Sequence, residues 1–96
     1  MAQFDALAAP PAALEKGGVE IMRGAIVEGT LQLTLRPAFA DPQAWGMVLA
    51  DIARNVARIH AIEHGRSESE TIDRIRDMLE SELNALAEGD SPREIS

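Results

Sequence analysis

Two histidines in the second half of the chain come closest to a known catalytic pattern. The run from His60 to His64 satisfies H-x-x-E-H, the inverted zincin motif, in which two histidines one helical turn apart bind zinc and a glutamate activates water. The motif stands beside Gly65 at a helix end, and too few residues follow it to supply the distant carboxylate ligand of such enzymes. Histidines are common at helix C-termini, where the partial negative charge favours cations. We expect no catalytic residue, no metal and no cofactor, and keep His60 and His64 as a weak candidate metal pair.

A second group of residues is a candidate interaction surface. At 100° per residue, Met47, Asp51, Arg54 and Arg58 fall on one side of a helix. Such a row could bind an anion or a partner carboxylate, although more often it is a solvated face with internal ion pairs. An apolar residue beside arginines suits the rim of a protein contact. Trp45 is either an interface anchor or, as its place in the apolar stripe favours, a side chain that pins the helix onto the strands.

The elements that position these residues begin with a predicted β-hairpin. Residues 30–36 alternate strictly, which places Leu31, Leu33 and Leu35 on one face of a strand. Residues 20–27 are rich in apolar and β-branched side chains and read as the preceding strand. Glu28-Gly29 lies between them, and glycine tolerates the positive φ of a tight turn.

Two hairpin registers are possible. A two-residue loop pairs Ile26 with Leu31, and it gathers Met22, Ile26 and the three leucines on one face. A three-residue loop would exchange the faces of the first strand and bring Ile21, Ala25 and Val27 beside the leucines. We favour the two-residue loop.

Two amphipathic helices follow the hairpin. Asp41-Pro42 predicts an N-cap with proline at the first helical position, and Gly65 predicts the stop after His64. Ser67 and Glu70 have capping-box spacing and predict the start of a second helix that ends near Gly89. The apolar stripe of the first helix contains Trp45, Val48, Leu49, Ile52, Val56 and Ile59, and that of the second contains Ile72, Ile75, Leu79, Leu83 and Leu86.

The predicted fold class is therefore α+β, with two antiparallel strands followed by two antiparallel helices. Residues 1–18 are rich in Ala and Pro and end in Gly17-Gly18, which predicts a flexible N-terminal arm without a stable helix. Residues 19–88 form a single ββαα domain, and residues 89–96 form a flexible polar tail.

Composition limits the function classes. The 96 residues carry a net charge of −7 with a single lysine, so the phosphate contacts of a nucleic-acid binder are not expected. No apolar run approaches the roughly 18 residues of a membrane span, and the polar faces of the helices are acidic. The absence of cysteine is compatible with a reducing compartment. We expect a cytoplasmic protein that binds neither nucleic acid nor membrane.

The second strand presents an unprotected edge. It contains no proline, lysine or bulge signal, and a lone two-stranded sheet is marginally stable. Pairing with a second copy would complete a larger antiparallel sheet across a two-fold axis. We therefore predict a homodimer, with a candidate dimer edge made of Thr30, Leu31, Gln32, Leu33, Thr34 and Leu35.

The segment from Gly17 to Ala61 resembles a small uncharacterised bacterial family, the domain of unknown function DUF5076. The most specific part is Asp41-Pro42, then Trp45-Gly46, then Leu-Ala-Asp-Ile-Ala-Arg over residues 49–54. The resemblance implies a small bacterial domain of this layout and carries no activity, cofactor or catalytic residue with it.

We therefore expect a non-enzymatic interaction or regulatory module that acts as a homodimer, with a further, unidentified protein partner possible. The alternative is a small-molecule or metal-binding protein that uses a cleft at the dimer interface or the region of His60 and His64.

Overall fold

The computed structural model describes residues 2–86, with five elements. In chain order these are helix α1 (Pro11–Lys16), strand β1 (Met22–Val27), strand β2 (Thr30–Leu35), helix α2 (Pro42–His64) and helix α3 (Glu68–Leu86). The predicted α+β class is confirmed, with an antiparallel hairpin followed by helices. The tail predicted over residues 89–96 lies outside the described residues.

The hairpin has the register of the two-residue loop. Met22 pairs with Leu35, Gly24 with Leu33 and Ile26 with Leu31. Both loop residues have positive φ, 52° at Glu28 and 80° at Gly29. Positive φ at both central positions is the geometry of a type I′ turn, whose twist matches that of paired strands. The glycine was the expected signal, whereas the left-handed conformation of Glu28 was not foreseen.

The N-terminal arm contains a short helix that the sequence did not predict. Helix α1 begins at Pro11 and ends before Gly17, which has φ 80°. Proline is tolerated at a first helical position because its missing N–H would have no intrahelical partner there. The expectation that prolines and glycines exclude a helix from this segment was wrong, since they mark its two ends. All six residues of α1 are exposed.

Helix α2 begins and ends where the sequence predicts. The Asp41 carboxylate accepts a hydrogen bond from the Gln43 backbone N–H at 3.0 Å, and Pro42 occupies the first turn. Gly65, at φ 65°, closes the other end and donates its N–H to the carbonyl of Ala61. This cap allows the chain to reverse within a few residues.

Helix α3 returns antiparallel to α2. The Glu70 backbone N–H donates to the Ser67 hydroxyl at 3.3 Å, which supplies the predicted cap. Thr71 is buried and donates its hydroxyl to the Ser67 carbonyl at 3.0 Å. None of the helices in the described part of the chain has the length and apolar character to cross a membrane.

The helical hairpin is closed by small residues. Ala57 is the one fully buried apolar residue in the described chain, and the nearby Ala53 and Ala61 are half-buried at i−4 and i+4. Residues four apart lie on one helix face, so this alanine row marks the side of α2 that lies nearest α3. The predicted stripe of large residues lies beside this row rather than on it.

The hairpin does not pack on the helices. Among the elements of residues 2–86, Cα atoms come within 8 Å only between β1 and β2 and between α2 and α3. None of the large apolar side chains described is fully buried. The strands contact each other and the helices contact each other, but the described chain has no core shared by the two pairs.

Candidate dimer interface

The leucine face of the hairpin is the face formed by Met22, Ile26, Leu31, Leu33 and Leu35. The register places these five side chains on one side of the sheet. Its four largest exposed members, Ile26 and the three leucines, each expose between 44% and 53% of their surface. About half of the surface of each of these residues therefore stays exposed in the described structure.

Gly24 determines how Leu33 lies on this face. A Cβ at Gly24 would stand 2.9 Å from Cδ2 of Leu33, closer than normal contact. With only hydrogens on Gly24, the leucine can lie flat across β1. The leucine face is consequently smooth at its centre, a shape that suits packing against another flat layer.

The backbone of β2 has one free edge. The Arg36 N–H donates to the Ile21 carbonyl at 2.8 Å, which fixes the phase of the antiparallel hydrogen-bond pattern. Because hydrogen-bonded residues alternate along such a strand, the N–H and C=O groups of Leu31, Leu33 and Leu35 point away from β1. The candidate dimer edge predicted from the sequence thus carries its free backbone groups on the leucines.

The edge of β1 has a neighbour. Residues 2–5 and 7–10 of the arm line an open cleft together with the residues of β1. The Arg23 guanidinium lies 6.0 Å from the centre of the Phe4 ring, at the outer limit of a cation–π contact. Arg23 also forms an ion pair with Glu20 at 2.9 Å. The two edges therefore differ, since arm residues flank β1 and leave β2 open.

The α2 stripe is the second exposed apolar surface, formed by Leu49, Ile52, Val56 and Ile59. Their spacing places them on one helix face. Leu49, Ile52 and Ile59 expose 39% to 52% of their surfaces, although the pattern predicted a core position for them. The neighbouring alanine row faces α3 instead, so the large side chains of the stripe are only partly covered within the described chain.

Trp45 contacts the connection between the two halves of the molecule. Its ring meets that of Phe39 edge to face, with centroids 5.1 Å apart. No Cα of α2 lies within 8 Å of a strand Cα, and the predicted role of Trp45 in pinning the helix onto the strands stays a prediction. Phe39 was missed because it stands two residues before the Asp41 N-cap, one position earlier than the residue that normally packs on the fourth helical position, which is Trp45 here.

The polar side of α2 bears the candidate interaction surface. Arg54 pairs with Asp51 at 2.7 Å, and Arg58 donates to the Asn55 side-chain oxygen at 3.3 Å. Met47 exposes 71% of its surface on the same side. Asp51 and Arg54 pair with one another and Arg58 bonds a neutral amide, so an exposed methionine beside arginines is the most distinctive feature of this surface.

His60 and His64 lie together as their spacing predicts. Their ring centroids are 5.5 Å apart, and Nδ1 of His60 is buried with no hydrogen-bond partner among the described residues. Within residues 2–86, no group of three or more His, Cys, Asp or Glu side chains is placed to hold a metal ion. Two imidazoles alone lack the three protein ligands of a catalytic zinc site.

The comparisons with known proteins agree with this layout. The model of the family described as a domain of unknown function, DUF5076, matches residues 6–86. A solved structure described as a candidate pyruvate dehydrogenase, from the photosynthetic bacterium Rhodopseudomonas palustris CGA009, is similar with a TM-score of 0.71 and 36% identity. The match covers 86% of each chain. No curated protein matches the chain.

Proposed function

Because the chain belongs to the DUF5076 family, whose members share a domain of unknown function, we propose its role from its surfaces: a non-enzymatic, cytoplasmic interaction or regulatory module that acts as a homodimer. The dimer forms where β2 of one protomer pairs with β2 of the other. The result is a four-stranded antiparallel sheet in the order β1, β2, β2, β1 across a two-fold axis.

The free edge of β2 is the observation that carries the proposal. Its outward N–H and C=O groups need partners when the apolar side chains around them are covered, because a buried, unpaired backbone group is costly. Self-pairing satisfies these groups with the same sequence on both sides. The arm beside β1 favours β2 as the pairing edge.

The surface area of the chain supports an assembly. The chain exposes 8487 Å², whereas a compact monomer of 10.4 kDa would expose about 5,400 Å². Residues 1 and 87–96 can account for at most roughly 1,800 Å² of this, the surface of a fully extended segment of their mass. More than about 1,000 Å² of excess surface is left on the described residues, and the exposed arm over residues 2–18 shares it with the leucine face and the α2 stripe.

Light scattering and sedimentation at micromolar concentration test the proposal. The expected mass is twice the chain mass of 10.4 kDa. Leu33→Pro removes the central outward N–H of β2 and should give a monomer, while the matched Leu33→Val variant retains the N–H and should stay a dimer. A wild-type mass equal to one chain would overturn the proposal, whatever the variants do.

A further partner fits the polar side of α2. Met47 is the exposed apolar centre of this surface, and Asp51, Arg54 and Arg58 surround it, whereas Trp45 lies on the other side of the helix against Phe39. The dimer would present two copies of this surface, one on each α2. A partner with two-fold symmetry could contact both copies at once. Its second contact would then be intramolecular, which strengthens binding in a way that a monomeric module cannot.

A further inference from the structure

The leucine face and the α2 stripe are each only partly covered by the described residues of one chain. Pairing of β2 edges joins two leucine faces into one continuous apolar layer, but it leaves that layer open to water. Each α2 stripe is an apolar helix face that stays partly exposed in the described chain. A sheet with one apolar face is stable when helices cover that face.

The dimensions of the two surfaces match. At about 3.3 Å per strand residue, Leu31 to Leu35 span roughly 13 Å. At 1.5 Å per helical residue, Leu49 to Ile59 span about 15 Å. Four strands at roughly 4.8 Å spacing form a layer whose width two helices with axes 8–10 Å apart can cover.

The connection between β2 and α2 holds the hairpin away from its own helix. The Ala38 N–H donates to the Arg36 carbonyl at 2.7 Å, and Arg36 is tied by its Nε to the Glu20 carbonyl at 2.9 Å. Phe39 then meets Trp45 edge to face at the start of α2. Contacts therefore fix both ends of the connection, in an arrangement that leaves no strand Cα within 8 Å of an α2 Cα.

We infer that the α2 stripe of each protomer covers the leucine face of the other, so that the main hydrophobic core of the protein is intermolecular. This inference rests on the proposed β2-paired dimer and adds to it the surface that the second copy occupies. The core then consists of Ile26 and the leucines from one chain against Leu49, Ile52 and Ile59 from its partner.

Cross-linking tests the exchange directly, because the chain contains no cysteine of its own. One tagged chain carries Leu33→Cys, and a second chain with a different tag carries Ile52→Cys. The two are unfolded together, refolded and treated with a short bis-maleimide reagent. The expected product is a linked species containing one chain of each kind, identified by mass spectrometry of the joined peptides.

Met47→Cys provides the matched control, since Met47 lies on the opposite side of the same helix and is well exposed. The Leu33→Cys and Ile52→Cys pair should link at least fivefold more than the Leu33→Cys and Met47→Cys pair. Equal yields would overturn the inference. So would a double variant, with both changes in one chain, that links chiefly within that chain.

The same experiment separates the inference from the proposed function. The molar mass of the protein in each sample is measured by light scattering before the reagent is added. A dimer mass with no preferential linking of residues 33 and 52 overturns only the exchange of α2 stripes. A monomer mass overturns the proposed dimer and the inference together.

Discussion

The β-hairpin and the helical hairpin are both antiparallel pairs joined by short turns, but they treat their apolar residues differently. The helices bring small residues together, with Ala57 fully buried between them. The strands direct their leucines outward, where each keeps about half of its surface in contact with water. The helical pair thus buries a seam of small residues while its large apolar residues stay partly exposed, whereas the strand pair buries no side chain fully. Pairing of backbone groups and burial of apolar side chains are therefore separate requirements. In the proposed dimer, the other copy provides the burial.

Among the variants that test this comparison, Leu33→Asp should cause the largest loss of stability. A carboxylate at the centre of the leucine face cannot be covered without losing its hydration, so dimer stability should fall by on the order of 3 kcal/mol or more. The measurement is urea unfolding at several protein concentrations. Thr34→Asp, on the opposite face of the same strand, is the control and should retain most of the stability. Equal losses for the two variants would mean that the leucine face is not covered.

Ala57→Leu tests the helical side. Three additional carbons at a fully buried position between α2 and α3 should cost roughly 1–3 kcal/mol through overpacking. Ala50→Leu places the same side chain on an exposed part of α2 and should change stability by less than about 0.5 kcal/mol. Circular dichroism during thermal unfolding checks both variants. A harmless Ala57→Leu would contradict close packing of the two helices.

Asp41→Ala removes the cap between the two regions. Loss of the bond to the Gln43 N–H should cost about 1 kcal/mol. Asp51→Ala removes a carboxylate from the same helix, but its ion pair with Arg54 is well exposed and should contribute about 0.5 kcal/mol or less. Differential scanning calorimetry can rank the two. The reverse order would show that the cap has little influence on the start of α2.

Glu28→Asn should give the smallest change, and in the stabilising direction. Glu28 has φ 52°, a conformation that asparagine adopts more readily, and Asn-Gly is a favoured pair for a type I′ turn. We expect a gain of roughly 0.5 kcal/mol in chemical denaturation, a fraction of the cost of a left-handed residue. Glu28→Gln removes the charge without favouring this conformation and should leave stability unchanged.

Local signals in the sequence predicted most of the secondary structure. The turn at Gly29 and the strict alternation of β2 gave the register, while Asp41 and Gly65 gave the ends of α2. These features depend on residues within a few positions of one another. Short-range chemistry is therefore enough to predict them.

Packing between elements was harder to predict. Hydrophobic periodicity weights large residues, so it placed Leu49 and Ile52 in a core while the smaller Ala57 took the buried position. The separation of the hairpin from α2 could not be anticipated either, because burial of the leucine face depends on surfaces that lie far away in the chain or on another molecule. For the candidate site, the sequence identified the open β2 edge but not the Phe39 and Trp45 contact.

The separation of the hairpin from its own helices has a consequence for how newly made chains fold and persist in the cell. If the main core forms only between copies, a newly made chain has to meet another before it gains most of its stability. The folded fraction would then rise with the number of chains present, and single chains would stay open to proteolysis. Expression level would act as a threshold below which the protein does not accumulate.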